Sequence, residues 1–281
     1  MTADAVASTA APPVLGRRFV AAVLLVVPLA YASLIASIVV HEVLGHGLTS
    51  LALGGRFDGF VVFPDGLGYA RTGGYAGHEV AVFAAGNVVS MALGLLLLFA
   101  ARRLRGRDLA CIAALVPALF LIEDSGSYAF WGALSARPPS DFGRIVRILG
   151  THDAHVALSV ATGAAWVGGV VLALRELFLW IERMAGSLPT GRAVAVLASY
   201  AAIVTGFWML FDWDQVTPGL ARWPSVVGAG IDVAVMALMF QFRRADVPAA
   251  AIEPARWRRA IVVSWVASAV FVGVVLAIWH E

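Results

Sequence analysis

The sequence predicts an all-α polytopic membrane protein of about seven transmembrane helices, with a short β-hairpin after the first. Three observations carry that prediction. The 281 residues are 60% hydrophobic and only 14% charged, with a mean hydropathy of +0.86, a balance outside that of soluble domains. Runs long enough to cross a hydrocarbon core of about 30 Å recur at 19–40, 79–100, 109–131, 155–181, 193–211, 224–241 and 260–279. The basic residues are all arginine and gather between alternate pairs of these runs.

The elements follow in order. Residues 1–16 are small and Ala-rich with Pro12 and Pro13, the composition of a disordered tail. Arg17 and Arg18 then open an uncleaved anchor, because the apolar run behind them exceeds a signal-peptide core. That run continues through a histidine motif to about 53 and contains Pro28. Either it kinks at the proline or its true span is 29–53, and the second choice moves His41 and His46 toward mid-membrane. Gly54-Gly55 stops the helix, and 56–70, with Pro64-Asp65-Gly66 at its turn, reads as the hairpin. A strand edge beside a membrane must be shielded by protein or water, and its backbone can pair with an extended peptide. Residues 17–150 form one membrane core, and 151–281 add further spans of unassigned role.

Arginines gather at 17–18, at 102–107, at 183 and 192, and at 243–259, and the opposite loops are poorer in them, although Arg137, Arg144 and Arg147 after the third run weaken the contrast. The positive-inside rule makes the arginine-rich segments cytoplasmic, placing the N-terminus inside and the C-terminus outside a plasma or inner membrane. His41, His46, His78, His152, His155 and Asp141 then fall toward the opposite half. A net charge of +2 without basic-aromatic interleaving gives no footprint for nucleic acid. The single Cys111 excludes an internal disulfide framework.

The chemistry concentrates in His41-Glu42-Val43-Leu44-Gly45-His46. Titratable groups are expensive inside an apolar run and mark function there. Zinc hydrolases carry His-Glu-x-x-His on a helix, the imidazoles holding the ion and the glutamate taking a proton from water. Here one extra residue intervenes. On a regular helix, residues five apart point about 140° from one another, too far to share an ion. A π-bulge, a single i→i+5 turn, restores a common face, and Gly45 and Gly47 make that distortion cheaper. Alternatively Glu42 and His46, four apart, are the ligands, or the metal site is lost and only a scaffold remains. The bland counterpart is a pair of interfacial histidines beside a solvated glutamate.

Other polar groups are less specific. Asp141 follows Pro138-Pro139-Ser140 at a sharp turn, where an aspartate is commonly a helix N-cap and can equally offer a carboxylate to a metal. Glu123 and Asp124, late in the third span, suit a wet cavity or support of metal ligands. Asn87 can hold substrate backbone or bond a neighbouring helix. His152 and His155 suit an interfacial helix start better than a second metal site. Trp208, Trp213, Trp223, Trp257 and Trp279 lie near span ends, as in an aromatic belt.

The order of elements resembles the site-2 protease-like family of membrane metalloproteases. It comprises a His-Glu helix ending in Leu44-Gly45-His46, a Gly-Gly stop, a hairpin with Pro-Asp-Gly, a span with Ala85-Gly86-Asn87, and Asp141-Phe142-Gly143-Arg144-Ile145. The likeness covers roughly residues 30–150 and departs in the extra motif residue and in Ser140-Asp141-Phe142 where the family has Leu-Asp-Gly. The resemblance implies one Zn2+ ion held by His41, His46 and Asp141, with Glu42 as general base. It implies hydrolysis of a peptide bond within or next to the bilayer, and a membrane protein or peptide as substrate. Two other functions stay open from the residues: a non-catalytic scaffold that binds transmembrane segments, and an ion- or proton-coupled transporter using Glu123, Asp124 and Asp232.

Overall fold

A computed structural model of the protein describes residues 15–64, 66–136, 140–185 and 254–279. Among these, five helices are long and apolar enough to cross a membrane. The expected spans 193–211 and 224–241, together with Asp232 and His280, lie outside the described residues. The described part is that of a multi-pass membrane protein with one two-stranded hairpin after the first helix.

Helix α1, Leu15–Val39, passes through Pro28 and leads into a π-helical segment, Val40–Gly47, and then α2, Leu48–Ala52. The candidate span is Leu24–Ala52, so both histidines of the motif lie within it rather than beyond its end. Gly54, at φ +79°, turns the chain out of α2. The Ser50 hydroxyl then donates to the Arg56 carbonyl at 2.9 Å, tying the helix end to the first strand. Gly55 is required there, because a Cβ would stand 2.6 Å from the Gly73 carbonyl oxygen.

Strands β1, Arg56–Val62, and β2, Gly68–Gly73, pair antiparallel with an irregularity between Phe57 and Gly59. The turn closes with the Phe63 N–H donating to the Leu67 carbonyl at 2.8 Å. Hydrogen-bonded pairs alternate along such a ladder. Counting from Phe63 and Leu67, the pairs Val61–Tyr69 and Gly59–Arg71 are bonded, and the backbone groups of Gly68, Ala70 and Thr72 point away from β1. That outer edge of β2 faces the motif helix, for the Ala70 N–H donates to the Glu42 carboxylate.

Helices α3, Glu79–Arg103, and α4, Asp108–Ser135, pack antiparallel to each other, α3 against the π segment and α4 against α1, and α5, Asp141–Leu149, is a short amphipathic helix packed against both. Helices α6, His152–Ala185, and α7, Pro254–Trp279, complete the described bundle. The main core joins Leu115 and Ile122 of α4 to Trp166 and Leu174 of α6, with Leu98 of α3. Trp257, near the start of α7, is buried in that core. A second cluster locks the hairpin in place, with Phe60 and Val62 between Ile35 and Ile38 of α1 and Val272 and Val275 of α7.

At the arginine-rich end Glu176 is buried and receives Arg102 Nε at 2.9 Å and Arg105 Nη2 at 2.5 Å. Arg183 Nε donates to Asp108 at 3.0 Å. These pairs join α3, α4 and α6 at the end opposite the hairpin.

Candidate metal centre

Within Val40–Gly47 the widened turn puts His41 and His46 on one face. Their Nε2 atoms stand 3.1 Å apart. Asp141 Oδ2 lies 3.2 Å from His41 Nε2 and 3.1 Å from His46 Nε2. Four tetrahedral ligands about 2.0–2.1 Å from a zinc ion are separated by about 3.3–3.4 Å, so the three atoms match a zinc donor set closely. His41, Glu42 and His46 also offer donor atoms within 4.8 Å of one another. Asp141 is the nearer third partner to the two imidazoles, which leaves the Glu42 carboxylate beside the group.

Three helices converge to make this arrangement. Gly45 of the π segment meets Gly86 of α3 so closely that a Cβ on Gly45 would collide with the Gly86 backbone. A Cβ on Gly86 itself would sit 2.5 Å from His41 Nε2 and 2.7 Å from His46 Nε2. The absent side chain therefore leaves the space in front of both imidazole nitrogens, a cradle of ion size. Asp141 arrives as the first residue of α5. Its N-cap is Ser140, whose hydroxyl accepts from the Gly143 N–H at 3.2 Å. The cap role open to Asp141 in the sequence thus falls to its neighbour, and the aspartate side chain is free to turn toward the histidines.

All four groups are buried: His41, Glu42 and His46 are 7% exposed and Asp141 9%. Burial alone would raise the carboxyl of Asp141, but hydrogen bonds and charge from His41 and His46 outweigh it and hold this group well below the usual carboxylate range. The start of α5 adds backbone N–H groups that favour an anion. His46 Nδ1 is within 2.7 Å of the Val82 carbonyl, to which it donates, and this fixes the ring with Nε2 toward Asp141.

The supporting candidates divide. Asp124 Oδ2 is 3.1 Å from Ser37 Oγ and is an electrostatic neighbour of His41. Glu123 is turned instead to α6, where the Trp166 indole donates to it at 2.7 Å. Asn87, one residue beyond Gly86, is buried, and neither its side-chain nitrogen nor its oxygen has a hydrogen-bond partner. His155 approaches the Leu134 carbonyl at 3.2 Å rather than joining a metal cluster. Sequence reading passed over Tyr128, whose ring lies edge-on to His41 at 5.8 Å between centroids. Its place four residues after Asp124, one turn along the same face of α4, was the available signal.

The fold and the buried His-Glu-His group define the class as a multi-pass membrane protein with a candidate metal centre. Residues 17–131 match the family model described as Peptidase M50B-like, less than half of the chain, and this segment is site-2 protease-like, with His-Glu-x-x-x-His as its motif. Such a match implies a membrane metalloprotease, and zinc is the usual metal of that peptidase group. Comparison with curated proteins and with solved structures gave no significant match. Asp141 and α5 to α7 lie beyond the matched residues.

Proposed function

We propose that the protein is a membrane-embedded zinc metalloprotease that hydrolyses a peptide bond within or next to the bilayer. His41, His46 and Asp141 hold one ion and Glu42 is the general base. The observation that carries this reading is the convergence of His41 Nε2, His46 Nε2 and Asp141 Oδ2 at 3.1–3.2 Å in the space kept open by Gly86. A bound zinc ion supplies a Lewis acid that makes water acidic and polarises a carbonyl.

The chain's own groups do the rest. The Glu42 carboxylate takes the proton of the attacking water and returns it to the leaving nitrogen. The Ala70 N–H aims Glu42 for that task. Asp124, beside Ser37 and His41, supports the ligand shell. A substrate segment in extended form pairs with the backbone of the hairpin, which lies beside Glu42. The unpartnered amide of Asn87 suits the same substrate backbone, because a buried amide with two unmade bonds is stabilised when a peptide supplies them. The site opens away from the cytoplasm, with the N-terminus inside, as the arginine distribution indicates. The substrate is a membrane protein or peptide.

The test uses purified protein in detergent with zinc content and cleavage measured together. Glu42→Gln should keep zinc and lose proteolysis, whereas His46→Ala should lose both. Equal zinc occupancy in wild type and His46→Ala overturns the ligand assignment.

A further inference from the structure

Tyr128 lies on α4 at the rim of the same site, without a part in the scheme above. Its ring packs edge-on against His41, with an interplanar angle of 78°. The Asp141 backbone N–H is directed at its hydroxyl oxygen, and the Glu42 and Asp141 carboxylates are its electrostatic neighbours. Its side chain therefore bridges the motif helix and the start of α5. It is also 41% exposed, while His41, Glu42, His46 and Asp141 are all below a tenth. Tyr128 is thus the most exposed member of the group.

A phenol carries one O–H donor and can accept at its oxygen. The Asp141 amide occupies an acceptor position, which fixes the oxygen and leaves the proton to point elsewhere. A positioned O–H beside a buried metal-ligand cluster is the donor that a developing oxyanion needs.

Resting on the metalloprotease reading, we propose that the Tyr128 hydroxyl donates a hydrogen bond to the scissile carbonyl oxygen as that oxygen becomes negative. In the balanced step, the water oxygen forms a bond to the carbonyl carbon, the carbonyl π pair moves onto its oxygen, and Glu42 receives the water proton. Tyr128 keeps its own proton throughout. When the carbonyl re-forms, the C–N bond breaks and the nitrogen leaves as an amine carrying the proton from Glu42. Tyr128 acts on charge present only between these events, so it contributes to turnover rather than to ground-state binding.

The test compares wild type with Tyr128→Phe, which keeps the ring against His41 and removes only the hydroxyl. The probes are an Ala-Leu phosphinate pseudopeptide, which places an anionic oxygen at the carbonyl position, and its amide counterpart. Both are titrated against purified, zinc-loaded protein. Tyr128→Phe should bind the phosphinate about tenfold or more weakly, with zinc content and amide binding unchanged. Where turnover of a peptide is measured, kcat should fall about 100-fold at constant KM. Equal phosphinate affinity in the two proteins overturns the Tyr128 assignment and leaves the protease reading standing. Zinc loss in Tyr128→Phe also overturns it, since the residue would then act only by positioning Asp141. A wild type that takes up no zinc removes the protease reading and this inference with it, and zinc uptake without phosphinate binding removes the inference alone.

Discussion

His41 and His46 are five residues apart, yet their Nε2 atoms are 3.1 Å from one another. The wide turn over Val40–Gly47 accounts for the approach, because one additional residue per turn rotates His46 back onto the face of His41. The insertion that separates this motif from His-Glu-x-x-His is thereby absorbed by the backbone. The same turn lowers Gly45 against Gly86, so helix geometry and helix crossing are coupled at one point.

That coupling gives the first prediction. Gly86→Ala places a methyl group in the space before both imidazole nitrogens, 2.5 Å from one and 2.7 Å from the other. The side chains must rotate away, so the variant should retain its helical content and lose most bound zinc. Metal analysis beside circular dichroism checks this, and wild-type zinc content in the variant would contradict it.

The cap of α5 gives a second. Ser140→Ala removes the bond to the Gly143 N–H, which costs about 1 kcal/mol in comparable caps. The loss falls on the residue next to Asp141, so zinc affinity should drop about fivefold without being abolished. Competition titration against a chelator measures it. Ser140→Asp, another good N-cap, should restore most of the affinity.

Acid behaviour follows from Asp141. Its folded pKa lies below the unfolded value of about 3.9. The resulting stabilisation is fully present above that unfolded value and disappears as pH falls through the lowered folded pKa. In chelator-treated protein, the stability difference between wild type and Asp141→Asn should therefore be level between about pH 5 and 7 and shrink below about pH 4. Unfolding midpoints in detergent across that range test the sign. A difference that grows on acidification would contradict it.

Removing the partners of Glu176 should be worse than removing Glu176. The carboxylate is 2% exposed as a side chain, whereas Arg102 and Arg105 are 33% and 45% exposed and can turn to water or headgroups. The double variant Arg102→Ala/Arg105→Ala strands a buried charge, at a cost of about 3 kcal/mol or more. Glu176→Gln should cost clearly less. Thermal unfolding of the two variants gives the order.

Orientation is open to direct labelling. With Cys111 replaced by alanine, a membrane-impermeant thiol reagent applied from outside the cell should modify a cysteine introduced at the exposed Ala76, between the hairpin and α3, and spare one at Gly106. The reverse pattern would turn the whole assignment around.

Much of this was legible in sequence because the signals are local. Hydropathy over some twenty residues marks a span whatever it packs against, and the described helices Glu79–Arg103, Asp108–Ser135 and His152–Ala185 each contain an expected run with a few residues added at the ends. Pro64 and Gly66 between β-prone runs mark the hairpin, because turn chemistry acts within four residues. The spacing of His41 and His46 stated its own requirement, since two side chains can share an ion only on one helix face.

The sequence by itself thus determined the membrane setting, the hairpin and the condition that His41 and His46 share an ion only across a wide turn. Tertiary structure decided what meets the imidazoles there. Asp141 lies 100 residues from His41 and reaches it only because Ser140 takes the cap and α5 packs across α3 and α4. Gly86 matters through a helix crossing, Glu123 and Asp124 part company through the direction in which α4 presents each, and Tyr128 gains its place from both neighbours at once. Hydropathy and capping propensity are properties of short segments, whereas the approach of remote side chains depends on how helices cross, and that is fixed by packing across the whole bundle.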